Sequence, residues 1–101
     1  MSKFVVSRAA RTDLKNIAAF AQKNWGASQR RIYLKGIDST FHFLAENPLN
    51  GNQCNYISEG LRKLRYESHV IFYEKNDNKN EILIVRVLHK SMDYELNLGS
   101  T

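Results

Sequence analysis

Arg62, Arg65, His69, Arg86 and His89 are the side chains of this sequence best suited to chemistry on an anionic group. An imidazole with an ordinary pKa near 6.5 exchanges protons at neutral pH, and guanidinium groups stabilise developing negative charge. Together these residues could assemble a cationic acid–base site. Each also has a structural reading. A histidine near a strand end, such as His89, commonly hydrogen-bonds to backbone or to an acid, and Asp93 is close in sequence. His69 has the same two readings, and His42, between Phe41 and Phe43, reads as structural. Arg86 must reach an open surface or meet an acid, because burying an unpaired guanidinium is costly.

No metal or other cofactor is expected. The three histidines lack the close spacing of a zinc knuckle or a metalloprotease helix, and the single Cys54 cannot form an intrachain disulfide. No apolar run approaches the roughly eighteen residues of a membrane span, and Phe4-Val5-Val6 is followed at once by Ser7-Arg8 rather than by a signal-peptide core. A cytoplasmic protein without membrane contact is expected.

Charge is distributed unevenly. Residues 1–35 hold eight Lys and Arg against Asp13 alone, a net of +7, while residues 36–101 net −2 within a total of +5. A local cationic field steers anionic partners, whether acidic protein or nucleic acid. The candidate partner-binding residues are therefore Arg8, Arg11, Lys15, Arg30 and Arg31, with Lys35 at the margin.

The elements that must position these groups follow from hydrophobic period. At 101 residues, 43% of them hydrophobic, the chain fits one domain with a packed core. Lys3 to Val6 reads as a strand, and Ser7 as the cap of a helix whose Ala10, Leu14, Ile17, Ala18, Ala21 and Trp25 fall at spacings of three and four. Trp25 and Phe20 are expected to pack within the helices. Gly26 suits the helix end, since it takes positive φ without a clash. A second helix runs from Ala27 or Ser28 to about Glu46, burying Tyr33, Ile37, Phe41 and Leu44 flanked by Leu34 and Ala45, and stops at Asn47-Pro48. So short a connection predicts an antiparallel hairpin.

Leu49 to Gly60 is polar and reads as irregular. Leu61–Tyr66, His69–Lys75 and Glu81–His89 read as strands, the last two joined by a turn over Asn76–Asn80. Alternation puts Arg62, Leu64 and Tyr66 on one face and Leu61, Lys63 and Arg65 on the other, so Arg62 and Arg65 cannot share one sheet surface. In the same two-residue register Arg86 falls with Ile82, Ile84 and Leu88. The last strand is apolar on both faces, as a central strand covered by helices requires. A short terminal turn follows around Tyr94 to Leu98, fixed by Met92 and Asp93. The fold class is α+β: an N-terminal strand, an antiparallel helix hairpin and a three-stranded antiparallel meander, with the helices on one sheet face.

In this order the chain resembles the RelE/ParE superfamily of bacterial toxins, and more closely its ParE branch. The resemblance rests on Ser7-x-x-Ala10-x-x-Asp13-Leu14-x-x-Ile17, Trp25-Gly26, Leu44-Ala45-x-Asn47-Pro48, Gly60-Leu61-Arg62, His69-x-Ile71-Phe72-Tyr73 and Ile84-x-Arg86-Val87-Leu88-His89-x-x-Met92-Asp93. It implies the toxin of a type II toxin–antitoxin system, stabilising a plasmid or chromosome and neutralised by an antitoxin that wraps it in a hetero-oligomer. ParE-like toxins poison DNA gyrase by protein–protein binding, with nucleic acid engaged only indirectly. RelE-like relatives instead cleave messenger RNA on the ribosome without a metal. Where that branch carries a catalytic arginine this chain has His69; its later arginine corresponds to about Lys90, and its terminal tyrosine to about Leu96, with Tyr94 two residues away. The resemblance therefore favours gyrase binding without a catalytic residue over mRNA cleavage by Arg62, Arg65, His69, Arg86 and His89. A third reading is an antitoxin-bound domain whose poison activity has decayed.

Overall fold

A computed structural model describes residues 3–98; the first two and last three residues of the expected 1–101 domain lie outside it. The chain runs β1 (Lys3–Val6), α1 (Arg8–Trp25), α2 (Ala27–Glu46), β2 (Asn52–Gln53), β3 (Leu61–Tyr66), β4 (His69–Asn76), β5 (Glu81–His89) and α3 (Tyr94–Leu98). The expected strands, helix pair and terminal turn are all present. The two-residue β2 lies inside the segment read as irregular, too short to have a periodic signature.

Local chemistry sets the helix ends. The Ser7 hydroxyl oxygen accepts from the Ala10 N–H at 3.0 Å, satisfying one of the donors that a helix start leaves unpaired. Gly26, at φ +89°, is the only residue between the helices and ends one while starting the next. A side chain is strained at that φ, so glycine makes the one-residue turn possible. The helices then run antiparallel, with Leu14 and Ala18 of α1 beside Leu34, Ile37 and Phe41 of α2.

The strands form one mixed sheet of order β1-β5-β4-β3-β2. Its β3-β4-β5 meander is antiparallel, and β1 pairs parallel with the first half of β5, Val6 opposite Ile84. Since β1 stops at Val6, the second half of β5 has an edge with no strand partner. Side chains and a turn take over there. Ser7 N–H donates to the Ile84 carbonyl at 3.0 Å, Ser7 Oγ donates to the Val85 carbonyl at 2.8 Å, and Asp13 Oδ2 accepts the Val87 N–H at 2.9 Å. The start of α1 thus replaces a strand, and that substitution fixes α1 against β5.

Two cores lie on opposite sides of the sheet. On the helix side Ala10, Ile17, Ile37, Phe41 and Leu44 pack on Ile71, Tyr73, Ile82, Ile84 and Val87. On the other side Cys54, Leu61, Val70, Phe72, Leu88 and Leu98 form a smaller core, with Ile57, Val85 and Tyr94 against it. The far face of β5 is therefore covered by the 54–61 loop and α3, while the α1–α2 hairpin keeps to one sheet face as expected. The far-side core also corrects the register of Arg86. Phe72 pairs with Arg86 but Tyr73 with Ile84, so Val85 is an extra residue on β5. A bulge of one residue inverts the alternation beyond it. Leu88 consequently belongs to the far core, while Ile82 and Ile84 belong to the helix side.

Candidate functional site

The residues singled out in the sequence separate into different places. Arg62 lies on the helix-side face of β3 and serves the 47–53 loop: its Nη1 donates to the carbonyls of Leu49 at 3.2 Å and Gly51 at 2.7 Å. Tyr73 completes that anchor by donating to the Pro48 carbonyl and accepting the Gly51 N–H, both at 2.8 Å. Gly51 is required there, since a Cβ would meet the Lys63 carbonyl oxygen at 2.8 Å as well as the Tyr73 ring. Arg65 projects from the opposite face, its Nε donating to the Glu67 carbonyl at 2.7 Å. His42 sits at the surface of α2, 3.4 Å from Asp38 and edge-on to Phe4.

Arg86 meets an acid across the fold. Its Nε donates to Asp13 Oδ2 at 2.8 Å and its Nη2 to Asp13 Oδ1 at 2.9 Å, a bidentate pair between α1 and β5. Parallel N–H···O bonds of this kind join geometric specificity to charge. The bond to Asp13 raises the Arg86 pKa above its ordinary value, burial opposing it. Asp13, the one acid among the first 35 residues, thus holds Arg86 and the open edge of β5 together. Asp13 stood in the family motif and Arg86 needed an acid or an open surface, but no local pattern joined the two.

His69 and His89 are brought face to edge. They are opposite each other on β4 and β5, with ring centroids 5.4 Å apart and planes at 87°. His69 Nδ1 lies 2.7 Å from Tyr33 Oη, which also accepts the Ser68 N–H at 3.2 Å. His89 Nδ1 accepts from the Ser91 N–H at 3.2 Å and lies 2.7 Å from Ser91 Oγ. Its partner is therefore Ser91 rather than Asp93, whose carboxylate instead accepts the Leu96 N–H at the start of α3. Rings continue outward from the pair: Tyr33 packs on His69 at 5.6 Å and on Trp25 at 5.8 Å, and Trp25 on Phe20 at 5.7 Å. Trp25 and Phe20 do pack on each other, but they remain 49% and 58% exposed rather than entering the core. Phe20, Trp25, His69 and His89 border a cavity of about 410 Å³ between α1 and the β4–β5 pair, which Asp13, Ile17, Val87 and Met92 also line.

Burial, and after it the neighbouring His89, holds the His69 pKa below its ordinary 6.5, with Asp13 opposing. The unfolded chain therefore binds a proton here at a higher pH than the folded one. This contribution to stability is complete above the unfolded value and is lost as pH falls through the lower folded value. We expect His69→Gln to flatten the decline of Tm as pH falls below the ordinary value of 6.5, measured by circular dichroism. An unchanged slope would contradict that assignment.

A second cleft lies on the far face. Lys63, Arg65 and Lys90 surround a hollow of about 380 Å³ with Val70 and Tyr94. Lys63 Nζ is 5.6 Å from the centroid of the Tyr94 ring, close enough for a cation–π contact, and Tyr94 Oη donates to the Lys90 carbonyl at 3.3 Å. Lys63 was not among the sequence candidates, and Lys90 entered only as the counterpart of the RelE branch's later arginine; Lys63 and Arg65, two apart on one strand face, carried a further signal. Among the described residues, no carboxylate is bridged to these three cations. The helix cations are exposed: Arg8, Arg11 and Lys15 share one face of α1 by spacing, and Arg31 and Lys35 one face of α2. The antiparallel hairpin sets Arg8 and Arg11 at the opposite end from Arg30 and Arg31.

An α1–α2 hairpin on a mixed sheet of this order defines a fold shared with solved toxin–antitoxin structures. A chain of the chromosomal ParDE system from P. aeruginosa matches with a TM-score of 0.72 at 22% identity, over 88% of this chain and 95% of that one. One from the RelBE2 toxin–antitoxin complex of Mycobacterium tuberculosis matches with a TM-score of 0.67 at 21% identity, covering 88% and 98%. At sequence level, residues 4–94 match the family model of the ParE toxin of the type II toxin–antitoxin system, parDE. Toxin ParE1 of Caulobacter vibrioides is 32% identical over 98% of this chain and all of its own length. Toxin ParE1 of Mycobacterium tuberculosis is 36% identical over 96% and 98%. The chain belongs to the ParE toxin family, as the toxin component of a ParDE-like system. No helix among the described residues is long and apolar enough to cross a membrane.

Proposed function

We propose that this toxin acts by binding DNA gyrase through its surface, without bond chemistry of its own, and that a cognate antitoxin neutralises it. The observation that supports binding over catalysis is the dispersal of the candidate acid–base set. Arg86 is committed to Asp13, Arg62 to the 47–53 loop, and Arg65 lies across the sheet from the histidine pair. A metal-free ribonuclease needs a proton acceptor, a donor and cations converging on one phosphate. The exposed cations of α1 and α2 instead suit an extended acidic protein surface. On this reading nucleic acid is engaged only indirectly, and the protein works in the cytoplasm.

One observation favours the second reading, mRNA cleavage: Lys63, Arg65 and Lys90 flank Tyr94 in a cleft able to take a phosphate. The two readings separate in parallel assays on purified toxin. Gyrase is expected to lose supercoiling activity or accumulate cleaved DNA at stoichiometric toxin, while translating ribosomes leave their mRNA intact. Codon-associated mRNA cuts with gyrase unaffected would replace gyrase binding by the nuclease reading.

A further inference from the structure

The geometry points to a site for a soft monovalent metal ion, Cu(I), in the cavity between α1 and the β4–β5 pair, with His69, His89 and Met92 as its ligands. This goes beyond the gyrase reading and depends on neither gyrase nor antitoxin.

The ligand set is hidden in the sequence, where the two histidines are far apart. The register of β4 with β5 makes His69 and His89 direct opposites, and both rings border the cavity with centroids 5.4 Å apart. Two imidazoles that share one three- or four-coordinate ion, each through a nitrogen at about 2.1 Å, hold their ring centroids roughly 5–6 Å apart. Met92 reaches the same wall through a turn. Its N–H donates to the His89 carbonyl at 3.0 Å, and its side chain lines the cavity. Two imidazoles and a thioether, from two strands and the turn that follows, thus border one space.

The hydrogen bonds suit metal-binding histidines. Such a ring keeps one nitrogen for the ion and donates from the other, which fixes its orientation and raises its basicity. His69 Nδ1 lies 2.7 Å from Tyr33 Oη, and His89 Nδ1 lies 2.7 Å from Ser91 Oγ. A hydroxyl oxygen has two acceptor lone pairs, so Tyr33 Oη takes a ring proton together with the Ser68 N–H it already accepts. No hydrogen bond among the described residues engages either Nε2. With an ion bound there, each Nδ1–H donates to its hydroxyl, and the exposed Ser91 exchanges its N–H bond to His89, 3.2 Å long, for water.

Ligand type and surroundings select the ion. All three ligands are neutral, and the carboxylate on the cavity wall, Asp13, is already committed to Arg86 and Val87. Ile17, Phe20 and Val87 make much of the remaining wall apolar. A doubly charged ion would meet no compensating anion there, and desolvation costs it more than an ion of single charge. Hard cations such as Mg²⁺ and Ca²⁺ also demand oxygen ligands. A thioether beside imidazoles suits Cu(I), which is soft and carries one charge.

Trp25, the sole tryptophan of the chain, lines the same cavity, so its emission reports occupancy. Purified toxin is titrated anaerobically with Cu(I) held by a chromophoric chelator. The toxin is expected to withdraw about one equivalent, with Trp25 emission changing to the same endpoint. In ¹⁵N-labelled toxin the Nε2 resonances of His69 and His89 should move while those of His42 stay. His89→Gln and Met92→Leu are each expected to weaken Cu(I) binding at least about tenfold. Both positions are exposed at the rim, so the variants leave the core alone, and circular dichroism checks that they fold. Failure of wild-type toxin to withdraw Cu(I) would overturn the site. Affinity within about twofold of wild type in the double variant His89→Gln, Met92→Leu would overturn it equally. Cu(I) binding lost in Cys54→Ala but kept in His89→Gln would give the ion to the thiol instead and reject these ligands.

Discussion

Asp13→Ala is expected to destabilise the folded toxin by about 3 kcal/mol, lowering Tm by roughly 10–25 °C in thermal denaturation followed by circular dichroism. Three bonds end on this carboxylate: two from the Arg86 guanidinium and one from the Val87 N–H. Alanine leaves a mostly buried guanidinium without its counter-charge and a strand-edge N–H without an acceptor. Losing one partner of such a pair costs more than the pair itself contributes, because the remaining charge has already lost its water. Asp13→Asn keeps an oxygen for Val87 but removes the charge, so its loss should fall between wild type and alanine. A Tm for Asp13→Ala within about 2 °C of wild type would mean that the edge of β5 finds other partners or that water serves Arg86 equally well. The effect should appear as loss of fold; any loss of gyrase inhibition beyond the unfolded fraction would assign Asp13 a further part in binding.

On the gyrase-binding proposal, reversing the charge of Arg8, Arg11, Arg30 and Arg31 to glutamate is expected to weaken gyrase inhibition at least about tenfold, and His89→Gln to change it less than about twofold. Reversal replaces attraction by repulsion, whereas glutamine keeps hydrogen-bonding capacity and loses only proton exchange in the neutral range. The helix geometry refines the experiment. With about 1.5 Å of rise per residue, Arg8 and Arg30 lie about 20 Å apart along the hairpin, more than twice the screening length of about 8 Å at physiological salt. The two ends should therefore act separately. Reversing Arg8 and Arg11 in one variant and Arg30 and Arg31 in another shows which end meets gyrase, and raised salt should weaken wild type toward the affected variant. Antitoxin affinity must be measured apart from gyrase inhibition, since both partners can share the basic surface of the hairpin. Near-complete loss of activity in His89→Gln with unchanged gyrase affinity, and little effect from the four reversals, would place catalysis on the sheet instead.

Much of the architecture is legible in sequence because its causes are local. The spacings of three and four in α1 and α2, the Ser7 cap, Gly26 between the helices and Asn47-Pro48 after them act within a few residues, and they fix element type and ends. Alternation likewise assigned Arg62 and Arg65 to opposite faces of β3, where they are found. The family motifs added the toxin fold. Only the tertiary structure decided which distant groups meet. The Asp13–Arg86 pair joins residues 73 positions apart, and it exists because β1 ends before β5 does, leaving an edge for α1 to complete. The extra residue at Val85 reverses the faces of β5 beyond it, and no period of two can reveal a bulge that depends on register with β4. His69 and His89 become neighbours through the same register, one ring nitrogen of each held by Tyr33 on a helix and by Ser91 beyond a strand. Residue types and local periods were set by the chain alone; convergence of side chains from separate elements depends on how strands pair and where they stop, which is decided only when the whole sheet closes against the hairpin.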